Sequence, residues 1–238
     1  MRFPGFSAEA LTFFRGLKRN NNREWFQARK HIFEDKVKRP MLELVSVIFS
    51  EMMEFAPDYV SEPQKTVYRI YRDTRFSADK KPYKDHIAAS FTRRGLQKHA
   101  AAGFYFSVSD SEIEVGGGVY MPGAEELLAI RNHIAGHHAE FRAVAAARDV
   151  RRLMGEVQGE QLSRVPKGFS AEHPAADVLR FKQFLFFKGM EPAVVTTPRL
   201  EPELVKRFRA MTPFVEFLNA PLVAGLAGRL DKTGVISH

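Results

Sequence analysis

The sequence predicts an α+β fold, in which an antiparallel sheet of about four strands within residues 66–120 packs with helices that precede and follow it. Three observations predict it. Apolar residues recur at helical spacing over residues 7–55, switch to a period of two between Thr66 and Tyr120, and return to helical spacing over 123–218. No linker, repeat or low-complexity tract divides the 238 residues, so a single domain spanning 1–238 is expected. Hydrophobic residues make up 45% of the chain and include 21 Phe, enough for a sizeable core. A domain of this length typically buries roughly 70–75% of its extended-chain surface.

The helical N-terminal part opens at Ser7, a capping residue. Ala10, Leu11, Phe13, Phe14 and Leu17 then share one face until Asn20, Asn21 and Asn22 break the pattern. Trp25, Phe26, Arg29, Ile32, Phe33 and Val37 continue a second face. After Pro40, Met41, Leu44, Val45, Ile48, Met52 and Phe55 mark a third, closed by Pro57. The strands expected are Thr66 to Arg72, His86 to Thr92, Gly103 to Ser109 and Glu112 to Tyr120, with a hairpin turn at Asp110 and Ser111. Beyond Pro122 and Gly123, Leu127, Leu128, Ile130, Ile134 and Phe141 restore the helical period. The segments Pro174 to Lys188 and Glu203 to Leu218 read as helices, with Pro213 a kink or break in the second.

Composition excludes several chemistries. With no Cys there is no disulfide, no thiolate metal ligand, no iron–sulfur cluster and no cysteine nucleophile. The N-terminus meets charged and polar residues before any leader-like apolar core, and no 18-residue apolar run occurs, so a cytoplasmic protein without membrane contact is expected. No cofactor is implied.

The net charge of +8 is not spread evenly. Residues 1–63 carry 10 basic and 9 acidic side chains, residues 64–99 carry 10 and 3, and residues 100–238 carry 16 and 16. Seven of the eight excess charges therefore fall within 36 residues, the distribution of an anion-binding surface rather than of a uniformly solvated one.

Within that stretch, alternation over Tyr68-Arg69-Ile70-Tyr71-Arg72 sends an Arg to a covered or half-covered face whichever side is buried. Such a cation needs a carboxylate or an anionic ligand, and Asp73 and Asp79 are the nearest partners. The following loop adds Arg75, a planar fork suited to carboxylate or phosphate, with Lys80 and Lys84 as point charges and Tyr83 beside them. The ligand-binding candidates are thus Arg69, Arg72, Asp73, Arg75, Asp79, Lys80, Tyr83 and Lys84. If the site is catalytic, His86 is the first proton-transfer candidate. The expected ligand is a phosphate- or carboxylate-bearing small molecule. One alternative is RNA or DNA, with Tyr68, Tyr71, Phe76 and Tyr83 stacking on bases. Another is an interaction module whose Arg–Asp network only holds the fold together. Oligomeric state, reaction type and ligand identity are not written in the sequence.

Other motifs point to structure. Gly116-Gly117-Gly118 reads as a bend, because no Gly-Lys-Ser/Thr follows it as a phosphate-binding loop requires. His133, His137 and His138 offer an i, i+4 pair near Glu140, but Ile134-Ala135-Gly136 separates the pair where a zinc protease has Glu next to the first His, and no metal is expected. Asp58 and Asp79-Lys80-Lys81 imitate a nuclease spacing without its strand context, and no Gly-x-Ser-x-Gly elbow occurs.

Four blocks carry a family resemblance: Phe3 to Phe26, Arg69 to His86, Gly116 to Ile134, and Pro166 to Phe184. Through them nearly the whole chain resembles the family catalogued as domain of unknown function 2461. The most distinctive block is matched at Arg69, Tyr71, Arg72, Asp73, Arg75, Phe76, Asp79, Lys80, Pro82, Tyr83 and Lys84. The resemblance implies no particular reaction, cofactor or catalytic residue, and the helix histidines fall outside its pattern.

Overall fold

A computed structural model describes residues 2–233. Helices α1 (Ala8–Arg19), α2 (Arg23–Ala28) and α3 (Lys30–Ile32) lead through a π-helical turn, Phe33–Lys38, into α4 (Arg39–Met52) and the short α5 (Pro63–Thr66). Strands β1 (Ile87–Thr92), β2 (Gly103–Val108) and β3 (Ile113–Val119) follow. Then come α6 (Ala124–Gly136), α7 (His138–Ala145), α8 (Arg148–Met154), α9 (Ala176–Leu179), β4 (Phe184–Met190) and α10 (Leu200–Thr233). The four strands form one antiparallel sheet in the order β1-β2-β3-β4, so the fold is α+β. No helix among the described residues is long and apolar enough to cross a membrane.

By its contacts the chain divides into two compact units. One gathers the described residues of Met1–Phe91, Tyr105–Val115 and Lys188–Arg209; the other gathers those of Thr92–Phe104, Gly116–Phe187 and Ala210–His238. In the first unit the Ser7 side chain accepts from the Ala10 amide at 3.3 Å and so starts α1, as its residue type dictates. Phe13, Phe14 and Leu17 then face inward and are buried. Phe13 meets Phe26 and Phe33 at 6.2 and 5.9 Å between ring centres, and Phe91 packs edge-on against Phe49 and Phe208. Aromatic burial on this scale dominates core energetics. In the second unit Phe141, Phe186 and Phe214 form the equivalent cluster, with Phe186 4.7 Å from Phe214.

Three of the expected strands appear within a residue or two of their predicted ends, and the fourth does not. Residues 67–72 pair with the following segment as isolated bridges, Val67 to Ala89 and Tyr71 to Tyr83, and form no strand. The two bridges are out of register, four positions from Val67 to Tyr71 facing six from Tyr83 to Ala89. Beyond Tyr71 the facing Pro82 accepts from the Arg72 amide at 2.9 Å but has no N–H to return, so no regular ladder forms. The fourth strand is β4, inside a stretch whose spacing reads as helical. Phe184 and Phe186 point to the core while Phe187 is partly exposed, a period of two hidden by the helical match of Val178, Phe181 and Leu185. Helix α10 also continues through Pro213, where the sequence predicts a kink or break.

The triple glycine serves β3. Gly118 adopts φ +124°, and a side chain there would run into the Phe184 carbonyl. At Gly117 a Cβ would lie 2.8 Å from Met211 Sδ. These glycines let a neighbouring strand and helix approach closely within an unbroken β3, a use of the backbone other than the bend the sequence suggests.

Candidate anion-binding site

The Arg69–His86 block lies wholly within the first unit and folds back on itself as an irregular hairpin. Its two arms are tied by the Lys84 amide donating to the Ile70 carbonyl at 2.8 Å and the Tyr68 amide donating to Ala88 at 2.8 Å. The base is anchored from the helical layer by Asn21. Its Nδ2 donates to the Tyr83 carbonyl at 3.0 Å, and its Oδ1 accepts from the Tyr83 amide at 3.1 Å. A side-chain amide here takes the place of a third strand. Below it Tyr83 stacks on Phe26 with ring centres 4.1 Å apart and 18° between planes, and Tyr71 closes the group at 5.4 Å from Tyr83. Tyr83 is 3% exposed, and burial pushes its phenol up from the usual tyrosine range. It is a wall of the block rather than an open surface.

Neighbouring asparagines share the work. The Asn22 side chain caps α2 by accepting from the Trp25 amide at 2.9 Å, and Asn20 Nδ2 donates to the Gly16 carbonyl at 3.0 Å. The sequence reads the run as a helix break; the structure uses all three amides.

At the far end of the hairpin the carboxylates take two of the arginines. Asp73 accepts from Arg75 through both oxygens, at 3.0 Å from Nε and 2.8 Å from Nη2, while Asp79 Oδ2 lies 2.6 Å from Arg72 Nη1. Each carboxyl is held below the usual range chiefly by its own guanidinium. Asp79 also accepts from the Lys81 amide at 3.1 Å, and Lys80 Nζ donates to the Thr74 carbonyl at 3.0 Å. Ile70 is buried on the Arg72 side, so Arg72 is the half-covered arginine that alternation demanded. Arg75 stands out in solvent beside Phe76, whose ring is 95% exposed.

Nearer the sheet a different pair of cations comes together. Lys84 Nζ sits 4.8 Å above the Tyr68 ring centre, half-buried, next to the exposed Arg69. Burial lowers the Lys84 ammonium from the usual lysine range, and the neighbouring Arg69 charge lowers it further. Burial likewise raises the Tyr68 phenol, against a hydrogen bond with Ser90 that lowers it. Among the described residues no carboxylate lies within ion-pair distance of Arg69 or Lys84. His86 Nδ1 lies 3.2 Å from Asp85 Oδ1 on the partly exposed edge that follows.

The structure thus sorts the predicted residues into a closed frame (Arg72, Asp73, Arg75, Asp79 and Lys80), a buried wall (Tyr83) and a cation pair without an ion-paired carboxylate (Arg69 and Lys84), Arg69 acting on the Asp73 carboxylate only at longer range. Asn21 and Phe26 were not foreseen as parts of the block. The remaining histidine cluster is stacked rather than convergent: His133 packs 4.4 Å from His137 and 4.5 Å from Phe217, centre to centre. Among the described residues no three His, Cys, Asp or Glu side chains are grouped to hold a metal ion.

A family model described as "Conserved hypothetical protein (DUF2461)" matches residues 9–217. No curated protein matches the chain.

Proposed function

The chain belongs to this DUF2461 family of conserved hypothetical proteins, and from that premise we propose that its distinctive block binds an anionic small molecule, phosphate- or carboxylate-bearing, at Arg69 and Lys84. One observation carries the reading. Two cations are held side by side, one of them half-buried, where every other arginine of the hairpin has a carboxylate. Like charges brought together and partly desolvated repel, and an arriving anion removes that penalty. The Arg72–Asp79 and Arg75–Asp73 pairs then act as the rigid frame of the loop. Tyr68 supplies an aromatic floor beneath the Lys84 ammonium. If bound ligand is turned over, His86 is the group to move a proton. Titration calorimetry with inorganic phosphate on the intact chain and on Lys84→Met tests the site: equal affinities would remove it.

A second reading rests on Phe76. An aromatic ring almost fully in solvent on a basic loop suits stacking on single-stranded nucleic acid, with cations meeting phosphates. Oligonucleotide affinity that falls steeply with salt and is lost in Phe76→Ala supports it; a flat salt response counts against it.

A further inference from the structure

We propose that Arg131 on α6 anchors a second oxyanion site, taking the carboxylate or phosphate group of a small molecule, in the unit that does not contain the Arg69–His86 block. Arg131 lies between Ile130 and Ile134 on an inward-facing stretch of helix and is itself only 8% exposed. Its Nη2 donates to the Phe181 carbonyl at 2.8 Å. Its Nε is sealed from solvent, and neither Nε nor the unsealed Nη1 has an acceptor among the described residues. The guanidinium therefore presents one open corner from an apolar bed.

Among the described residues no carboxylate lies within ion-pair distance of Arg131. Glu160, whose backbone carbonyl accepts from the Lys182 amide, pairs through its side chain with Lys182 at 3.1 Å, and Asp177 of α9 pairs with Arg142 at 2.8 Å. Burial is the one influence that moves its acidity, with no neighbouring charge opposing it. Holding Phe181 in place does not account for a cation. That turn is already fixed by the Leu162 amide on the Arg180 carbonyl, the Lys182 amide on Glu160, and Arg180 Nε on the Leu162 carbonyl at 2.9 Å. A neutral amide would satisfy one carbonyl without the cost of burying charge. A guanidinium with a free corner instead matches an oxyanion, which supplies both the acceptor and the missing charge.

The proposal is independent of the Arg69 and Lys84 reading, and the test separates them. Full-length chain carrying Arg69→Gln and Lys84→Met is titrated with inorganic phosphate, and separately with acetate, at ionic strength fixed with chloride. Arg131 Nε–H is followed by NMR, and melting temperature in parallel. Expected is a saturable shift of that resonance with phosphate, acetate or both. At about ten times the half-saturating concentration the melting temperature should rise by roughly 3–5 °C. Adding Arg131→Met should abolish the rise, and Arg131→Lys should weaken binding at least about ten-fold through loss of the planar fork. An Nε–H resonance that neither anion moves overturns the proposal, even where Arg131→Met fails to fold. So does a thermal response that Arg131→Lys leaves unchanged.

Discussion

Asn21 brackets the backbone of a single residue 62 positions away, donating to the Tyr83 carbonyl and accepting from the Tyr83 amide. Removing the bracket with Asn21→Ala strands both Tyr83 groups in a partly buried position. The expected loss is about 1–3 kcal/mol, read as a melting temperature lower by roughly 3–10 °C. Amide exchange at Tyr83 should accelerate in step. Asn21→Asp keeps the acceptor alone and should fall between the two.

For Lys84 the pH dependence has a definite sign. Its folded pKa lies below the unfolded value, so the unfolded chain binds more protons between the two. Stability should therefore rise as pH increases through that window, up to the unfolded lysine value, relative to a chain lacking the group. Lys84→Met should flatten this alkaline gain while weakening phosphate binding about ten-fold or more. Denaturant unfolding at several alkaline pH values, with phosphate titration at neutral pH, checks both.

The Asp73 and Asp79 carboxyls are depressed, so what their pairs contribute is complete above the ordinary Asp range and lost as pH falls through the folded values. Both carboxylates face solvent, and solvent-exposed ion pairs contribute little to global stability. Acidification should thus loosen residues 73–81 locally, seen as faster amide exchange or proteolysis. Asp79→Asn should reproduce that loosening at neutral pH with a nearly unchanged melting temperature. A large global destabilisation would mean the pair holds more than the loop.

Gly118→Ala combines an unfavourable positive φ with a clash against the Phe184 carbonyl. A cost of about 2 kcal/mol or more is expected from equilibrium unfolding, against a much smaller one at Gly136, where a Cβ meets nothing within 4 Å.

How much of this was legible in the sequence depended on distance along the chain. Alternation required one covered arginine and short separation offered Asp73 and Asp79 as partners, without saying that Arg72 and Asp79 would pair. The Asn21 contact was invisible, because an Asn run looks the same whether its amides cap helices or reach a peptide 62 residues away. The first expected strand failed on a shift of register between its two bridges and on Pro82, whose missing N–H matters only once the pairing is known. Strand β4 was misread because four large apolar residues fit both a helical and an alternating template until burial separates Phe184 and Phe186 from Phe187. Arg131 gave no signal, since a charged residue beside an apolar face is ordinary on a helix edge.

Strand β4 pairs with β3 across residues 120–183, so the sheet cannot be completed during synthesis until the whole of that intervening stretch has left the ribosome. Until then the open side of β3, without side chains over its three consecutive glycines, waits as an unpaired edge. Long-range closure of this kind slows folding, because the loop entropy is lost before the pairing is gained. The nascent chain is consequently most exposed to misassociation in the interval between the emergence of Val119 and that of Phe184.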